Sequence, residues 1–312
     1  MISVVIPNWN GMKFIGMCLD SFQRSTYQDY EIIVVDNGST DGSKELIKEK
    51  YPSVKLIELP ENLGFARACN EGIKASNRKY VCLLNNDIEI HPDWLLELYE
   101  GMERHPECGM GTSKMLFMDQ KDVIYNTGDL YHIWGVGGGR GQGEKDYGQY
   151  EQEEYVFGAC AGAGIYRKTM LDEIGLFDED FFIFAEDVDL NFRANWAGHK
   201  TIYLPKAVVY HIGTATVGLY SNRYIYLCNK NDINVMVKNM TLYMYCKYFY
   251  KIIGHQLTST RYFIQRGKGH IVLKSKIGAL FQFYKMIIRR YSVQKNKRCT
   301  FEEVRENIVF KK

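Results

Sequence analysis

Three acidic positions in this chain are spaced as a reacting site needs them: Asp36, Asp87 and the pair Glu186-Asp187. Asp36 closes the apolar run Ile32-Ile33-Val34-Val35. Asp87 follows Tyr80-Val81-Cys82-Leu83-Leu84 after two amides, Asn85 and Asn86. Apolar runs of this length read as strands buried on both faces, the pattern of a parallel sheet. Polar groups at the carboxyl ends of such strands sit where open α/β sheets bind ligands. A carboxylate there accepts hydrogen bonds from a ribose or a base imide. A second holds Mg²⁺ or Mn²⁺, which prefer oxygen ligands and bridge phosphates. A third serves as a general base. Each position has a plainer reading too, since Asn and Asp are ordinary turn residues and Asp187 suits a helix N-cap.

The elements that must carry these groups alternate along the chain. Ser3 to Ile6 is a β-branched run closed by Pro7, with Asn8-Trp9-Asn10-Gly11 as a loop. Phe14, Met17, Cys18, Leu19 and Phe22 recur at helical spacing. Strands are expected at 31–35, 54–59 and 80–84, and helices at about 43–51, from 65 to about 75, and after Pro92 to about Arg104. This alternation implies βαβ units with right-handed crossovers. From Gly109 the pattern loosens into a less regular region. Gly135 to Gly143 holds six glycines in nine residues, which suits a surface linker or a mobile cover over a ligand. Phe157 to Tyr166 is small and apolar. Helices are expected at 167–174, ended by Gly175, and at 187–197, ended by Gly198. Short strands are expected at 202–204 and 207–210. Phe181, Phe182, Phe184 and Trp196 serve either as plain core or as an apolar platform for a ligand.

Charge divides the chain. From Leu219 onward there are 19 Lys+Arg and 4 Asp+Glu, a net of +15; the preceding part carries the other 20 basic and 33 acidic residues, a net of −13. Tyr243, Tyr248, Phe249, Ile252 and Ile253, then Ile277, Leu280, Phe281, Tyr284, Ile287 and Ile288, are interrupted by Lys and Arg. No 18-residue stretch is free of charge, so a spanning helix is not expected. Basic amphipathic helices with aromatics read as interfacial, with an anionic membrane surface as partner. Packing on the body is the plainer alternative, and nucleic acid ranks lower for want of a recognised motif. Eight scattered cysteines without a CxxC pair suit reduced thiols. Met1 to Pro7 reads as a strand rather than a signal peptide. The expected location is therefore cytoplasmic, peripheral on the inner face of the cell membrane, with oligomeric state left open.

Val4-Val5-Ile6-Pro7-Asn8-Trp9-Asn10-Gly11, Ile33-Val34-Val35-Asp36-Asn37-Gly38-Ser39-Thr40-Asp41-Gly42-Ser43, Glu61-Asn62-Leu63-Gly64-Phe65-Ala66, Leu83-Leu84-Asn85-Asn86-Asp87 and Glu186-Asp187-Val188-Asp189-Leu190 together resemble the family 2 glycosyltransferases. The likeness is strongest to the rhamnosyltransferase-like branch and covers roughly residues 1–215. It implies an α/β fold of the GT-A type: a mostly parallel, Rossmann-like sheet flanked by helices. A glycosyltransferase domain over 1–218 would have a donor half at about 1–110 and an acceptor half at about 111–218. Residues 219–312 would form a basic, amphipathic helical C-terminal region. The resemblance further implies a dTDP- or UDP-sugar donor, Mg²⁺ or Mn²⁺, and inversion at the anomeric carbon. The sugar, rhamnose in that branch, would pass to a hydroxyl of a growing cell-surface polysaccharide or lipid-linked glycan.

Carried over by position, Asp36 contacts the base or ribose of the donor, and Pro7, Asn8 and Asn10 line that pocket. Asn37, Gly64 and Arg67 belong to the same donor-binding set. Asn86 and Asp87 match the end of the family's metal-binding DxD motif. Asn85 replaces its first aspartate, so one carboxylate remains for the cation. His211 lies where some relatives place a further metal ligand. Asp187 matches the catalytic base, and Glu186 orients it or touches the acceptor. A base of ordinary carboxylate pKa would suffice. Three rivals remain. A sugar nucleotidyltransferase would need a Gly-rich, basic phosphate loop where Asn8-Trp9-Asn10-Gly11 stands. A membrane-associated, non-catalytic adaptor would keep the fold and discard the reaction. A dinucleotide dehydrogenase would need G-x-G-x-x-G after its first strand.

Overall fold

The computed structural model describes residues 1–213, 218 and 220–305. Strands β1 (Ile2–Asn8), β2 (Tyr30–Asp36), β3 (Lys55–Glu58) and β4 (Tyr80–Leu84) occupy the four expected runs. They lie parallel in the order β4-β1-β2-β3. Helices α1 (Ile15–Ser21), α2 (Ser43–Lys50), α3 (Phe65–Lys74) and α4 (Trp94–Arg104) cover the two faces of the sheet. Alternation along β1 divides the core, as the period of two requires. Ile2, Val4 and Ile6 join α1 and α4 on one side; Val5 joins Val81, Leu83 and α3 on the other. Asn8 stands opposite Asp36, and Val5 opposite both Ile33 and Leu83. This register brings the polar ends of β1, β2 and β4 to one edge.

The second half adds β5 (Ile88–Ile90), β6 (Cys108–Phe117), β7 (Ile124–Asn126), β8 (Asp129–His132), β9 (Val136–Gly139), β10 (Glu154–Val156), β11 (Ala163–Arg167) and β12 (Lys200–His211). α5 (Lys168–Ile174) and α6 (Glu186–Trp196) follow β11. β11 runs antiparallel between β4 and β6, and β12 lies parallel to β6. Two expectations need correction. The region from Gly109 is no irregular segment but a ten-residue, almost wholly buried strand. Its polar residues hide the pattern, and two of them are paired inside: Ser113 accepts from Trp94 Nε1 (2.8 Å) and donates to Ala163 O (2.7 Å). Lys114 pairs with Asp146 and Glu151. The two short strands at 202–204 and 207–210 are one strand, β12, with a register shift between Leu204 and Val208. Pro205 sits in that shift, where a missing N–H is tolerated. The glycine-rich run supplies the returning strand of the β8–β9 hairpin.

Helices α7 (Asn222–Asn239), α8 (Leu242–Gln265), α9 (Gly269–Lys295) and α10 (Phe301–Arg305) complete the chain. A third apolar cluster joins them to the sheet domain: Phe157, Phe181, Phe192 and Trp196 meet Val235, Met240, Met244 and Val293. Among the described residues, no helix is long and apolar enough to cross a membrane. The expected border at 218/219 adjoins residues 214–217 and 219, which lie outside the described residues. The eight cysteines are free thiols.

Candidate active site

A cavity of about 420 Å³ opens at the carboxyl ends of β1 and β4. Pro7, Asn8, Asn37, Asn86, Asp87, Glu186, Asp187 and His211 line it; Asn10, Asp36, Gly64 and Arg67 do not. One hydrogen-bond chain joins its floor. Asn86 Nδ2 donates to Asn8 Oδ1 (2.8 Å), and Asn8 Nδ2 donates to Asp36 Oδ1 (3.0 Å). The other Asp36 oxygen accepts from Ser39 N (3.0 Å). Asp36 is 1% exposed. Asp36 fixes the amide of Asn8, which lines the cavity. Gly11 lets this chain close, because a Cβ there would lie 2.1 Å from Asn8 Oδ1 and 2.2 Å from Asn86 Nδ2.

Asn10 stands aside from the cavity, bonded to Ser39 and to Thr40 N. Asn37 holds the next motif, donating to Asn62 Oδ1 (3.1 Å) and Gly64 O (3.2 Å) and accepting from Leu63 N (2.9 Å). Gly64 serves packing: its φ is +95°, and a Cβ would lie 2.7 Å from Phe182. Arg67 is paired with Glu71 (2.9 Å) and Glu179 (2.8 Å).

Asp87 and His211 meet across the strand edge. His211 ends β12 opposite Ile88 of β5, and its Nε2 lies 3.0 Å from Asp87 Oδ1. Asn85 Nδ2 is 3.5 Å from the same nitrogen. Adjacent ligands of an octahedral ion with bonds of about 2.1 Å stand about 3.0 Å apart. One carboxylate oxygen and one imidazole nitrogen at this separation therefore fit a divalent cation. His211 Nδ1 is buried without a hydrogen-bond partner among the described residues, and the ring lies edge-on to Tyr125 at 4.4 Å.

A second acidic group faces them. Glu186 and Asp187 open α6, and Asp129 of β8 comes beside them. Sequence reasoning missed Asp129, which is buried and accepts from Asn126 Nδ2 (3.1 Å) and Asn191 Nδ2 (3.0 Å). Burial, and then the charge of Asp187, push the carboxyls of Asp129 and Glu186 well above the usual carboxylate range. Asp187 is also raised by burial, so a base of ordinary pKa is not what the structure provides. Hydrogen bonds from Val188 N (2.8 Å) and Ala161 N (3.4 Å) oppose that rise. The α6 N-terminus favours negative charge as well. Asp187, with two backbone donors, is thus the member best suited to carry charge, and burial favours the neutral forms of its neighbours. Asp129, Cys160 and Asp187 bring three ligand atoms within 4.8 Å of one another. Burial pushes the Cys160 thiol well up, however, and the thiolate is the ligand form.

The loop ahead of α6 is strained. Phe182, Phe184 and Ala185 have φ of 66°, 72° and 64°. Asn231 of α7 holds it: the Nδ2 donates to the carbonyls of Phe181 (2.9 Å), Ile183 (3.0 Å) and Phe184 (2.8 Å). Phe182 and Phe184 line the cavity, whereas Phe181 and Trp196 are core. Arg223, also missed, lines the cavity with its guanidinium 5.3 Å from the Phe182 ring centre.

A parallel half and a mixed-sheet half meeting at one polar edge define a glycosyltransferase of the GT-A type. The chain belongs to glycosyl transferase family 2, whose profile matches residues 3–175. It is 26% identical over 265 residues to the N-acetylglucosaminyl-diphospho-decaprenol L-rhamnosyltransferase of Mycobacterium tuberculosis, covering 74% of this chain and 85% of that one. It is 30% identical over 226 residues to the amylovoran biosynthesis glycosyltransferase AmsB of Erwinia amylovora, covering 68% and 70%. The mannosyltransferase PcManGT from Pyrobaculum calidifontis, in complex with GDP-Man and Mn²⁺, shares the fold with a TM-score of 0.57 at 14% identity, covering 95% of this chain and 85% of that one. The chain is thus an enzyme, which sets the adaptor alternative aside.

Proposed function

We propose that this enzyme moves a hexosyl unit, rhamnose first among the candidates, from a dTDP- or UDP-sugar to a hydroxyl of a growing cell-surface polysaccharide or lipid-linked glycan, with inversion. The sugar and acceptor rest on the likeness to the mycobacterial rhamnosyltransferase. The observation that carries the reaction is the opening of the Asp87–His211 pair and the Asp187 carboxylate onto one cavity. Pro7, Asn8 and Asn37 line its nucleotide end, with Asp36 acting through Asn8. Asp87 and His211 would hold Mg²⁺ or Mn²⁺, which stabilises charge on a departing diphosphate when bound. Arg223 adds fixed positive charge to the same space. Asp187 takes the acceptor's proton as the hydroxyl oxygen bonds to the anomeric carbon. The opposite bond, from that carbon to the diphosphate, breaks, and its electron pair leaves with the phosphate oxygen. Glu186, protonated, orients the acceptor. Residues 1–218 form the catalytic part in this reading, and 219–312 the part that serves its setting. That setting is the cytoplasmic face of the cell membrane, where the protein is peripheral.

The test is release of sugar from a panel of nucleotide sugars without acceptor, with Mg²⁺, with Mn²⁺ and with chelator. Imidazole nitrogen suits transition metals better than Mg²⁺. Hydrolysis of a dTDP- or UDP-sugar that is faster with Mn²⁺ is expected. Turnover unaffected by chelator would remove Asp87 and His211 from the role given them.

A further inference from the structure

Helices α8 and α9 each bury one face and expose the opposite one, and the exposed faces are apolar. On α8, Met244, Tyr248 and Ile252 are buried. Leu242, Phe249, Tyr250, Ile253, Leu257 and Ile264 are exposed. At about 100° per residue, these six fall within a sector of roughly 100°, turned away from the buried three. On α9, Val272, Ala279, Met286 and Val293 face inward. Ile277, Leu280, Phe281, Tyr284, Ile288 and Tyr291 form the outward stripe, with Phe281 85% and Tyr284 77% exposed. The two helices fold back on each other, and Lys276 donates to Thr260 across the turn. A helix on the surface of a soluble protein places charge opposite its core; here large apolar side chains stand there instead.

The charge around the stripes selects the occupant. Between Leu242 and Arg298 there are 13 Lys+Arg and no Asp or Glu. Arg289 and the exposed Lys285 are paired with Asp178 and Asp180, while Lys251, Arg261, Lys274 and Lys295 are also exposed. A second copy of the chain would bring two such positive surfaces together. Nucleic acid would satisfy the charge and leave the apolar stripes in water. An anionic bilayer satisfies both, taking apolar side chains below its headgroups and cations among them. We propose that the α8–α9 hairpin docks this enzyme on an anionic lipid surface through these two stripes. The proposal rests on the membrane setting given above, and not on the sugar or on the base assignment.

The full chain is floated with vesicles of phosphatidylcholine, with and without phosphatidylglycerol. Binding is expected with phosphatidylglycerol only, and weaker as salt rises. The double variant Phe249→Asp/Phe281→Asp, altered at exposed positions, should bind about tenfold less or worse, since it removes two large apolar contacts. Its nucleotide-sugar hydrolysis should match that of the parent chain, which shows that it is folded. A parent chain that fails to float, or a double variant that floats equally well, overturns the proposal. So does light scattering that shows a dimer lost in the variant while vesicles bind neither protein. Vesicle binding by a chain that hydrolyses no donor would count against the catalytic reading and leave the docking surface standing.

Discussion

Glu186 and Asp187 are neighbours in sequence, yet their surroundings separate them. Glu186 Oε2 is buried without a hydrogen-bond partner among the described residues, while both oxygens of Asp187 accept backbone N–H groups. Asp187→Asn should therefore lower transfer by about 10²- to 10⁴-fold, the usual weight of a general base, with donor affinity unchanged. Glu186→Gln should retain most of the activity, because the amide replaces a carboxyl already protonated. Equal losses in the two variants, measured as kcat with a fixed donor, would reject the division. Stability carries the same sign. The folded chain keeps the Glu186 proton to a higher pH than the unfolded chain, which releases it near pH 4. Above that pH the unfolded state binds fewer protons, so stability falls as pH rises. The stabilisation from Glu186→Gln should then grow between pH 5 and pH 8 in urea titrations. The pair was legible in the sequence because both acids stand together at a helix start. Asp129 was not, since it sits in an ordinary turn-like run and only the β8–β9 pairing and Asn191 bring it to the site.

The loop from Phe181 to Ala185 shows how an element far along the chain sets the geometry of the cavity. Three non-glycine residues with positive φ cost about 1–3 kcal/mol each, and persist only where neighbours fix them. Asn231, wholly buried on α7, supplies that restraint through one amide group and three carbonyls. Asn231→Ala removes that donor from all three, leaving only Phe181 O with another among the described residues, from Ile183 N (2.8 Å), and should destabilise the fold by about 1–3 kcal/mol. The variant should also raise KM for the donor more than it lowers kcat, since Phe182 and Phe184 line the cavity. An unchanged KM at a lowered urea midpoint would make Asn231 merely structural. Strands β1 to β4 were legible because continuous apolar runs have few other uses. Strand β6 was not, because its buried Ser113 and Lys114 read as surface until their partners are known. The hold of Asn231 on the loop has no local signature at all, being made by residues about 50 positions apart.

The division of charge along the chain is partly an internal matter. The exposed cations of α8 and α9 remain available to the anionic surface proposed above, but other cations of that half pair within the chain. Lys238 pairs with Asp178 (2.7 Å) and Asp189 (2.8 Å), all three buried. Arg289 pairs with Asp178 and Asp180, and Lys285 with Asp180. These acids flank the segment that carries Phe182 and Asp187, so the C-terminal helices neutralise the body beside the site and close its third apolar cluster. Lys238 lies ahead of Tyr243, so the buried pairs stay in a shorter chain, while the partly exposed pairs of Lys285 and Arg289 contribute about 0–1 kcal/mol each. A chain ended before Tyr243 would lose Arg289 and Lys285 together with Met244, Tyr248 and Val293. It should unfold at a clearly lower urea concentration and lose nucleotide-sugar hydrolysis, whereas Phe249→Asp/Phe281→Asp keeps both. A truncated chain that unfolds at the parent's urea midpoint and hydrolyses donor at the parent's rate would make the region a detachable tail. The inward ion pairs would then be incidental to the enzyme.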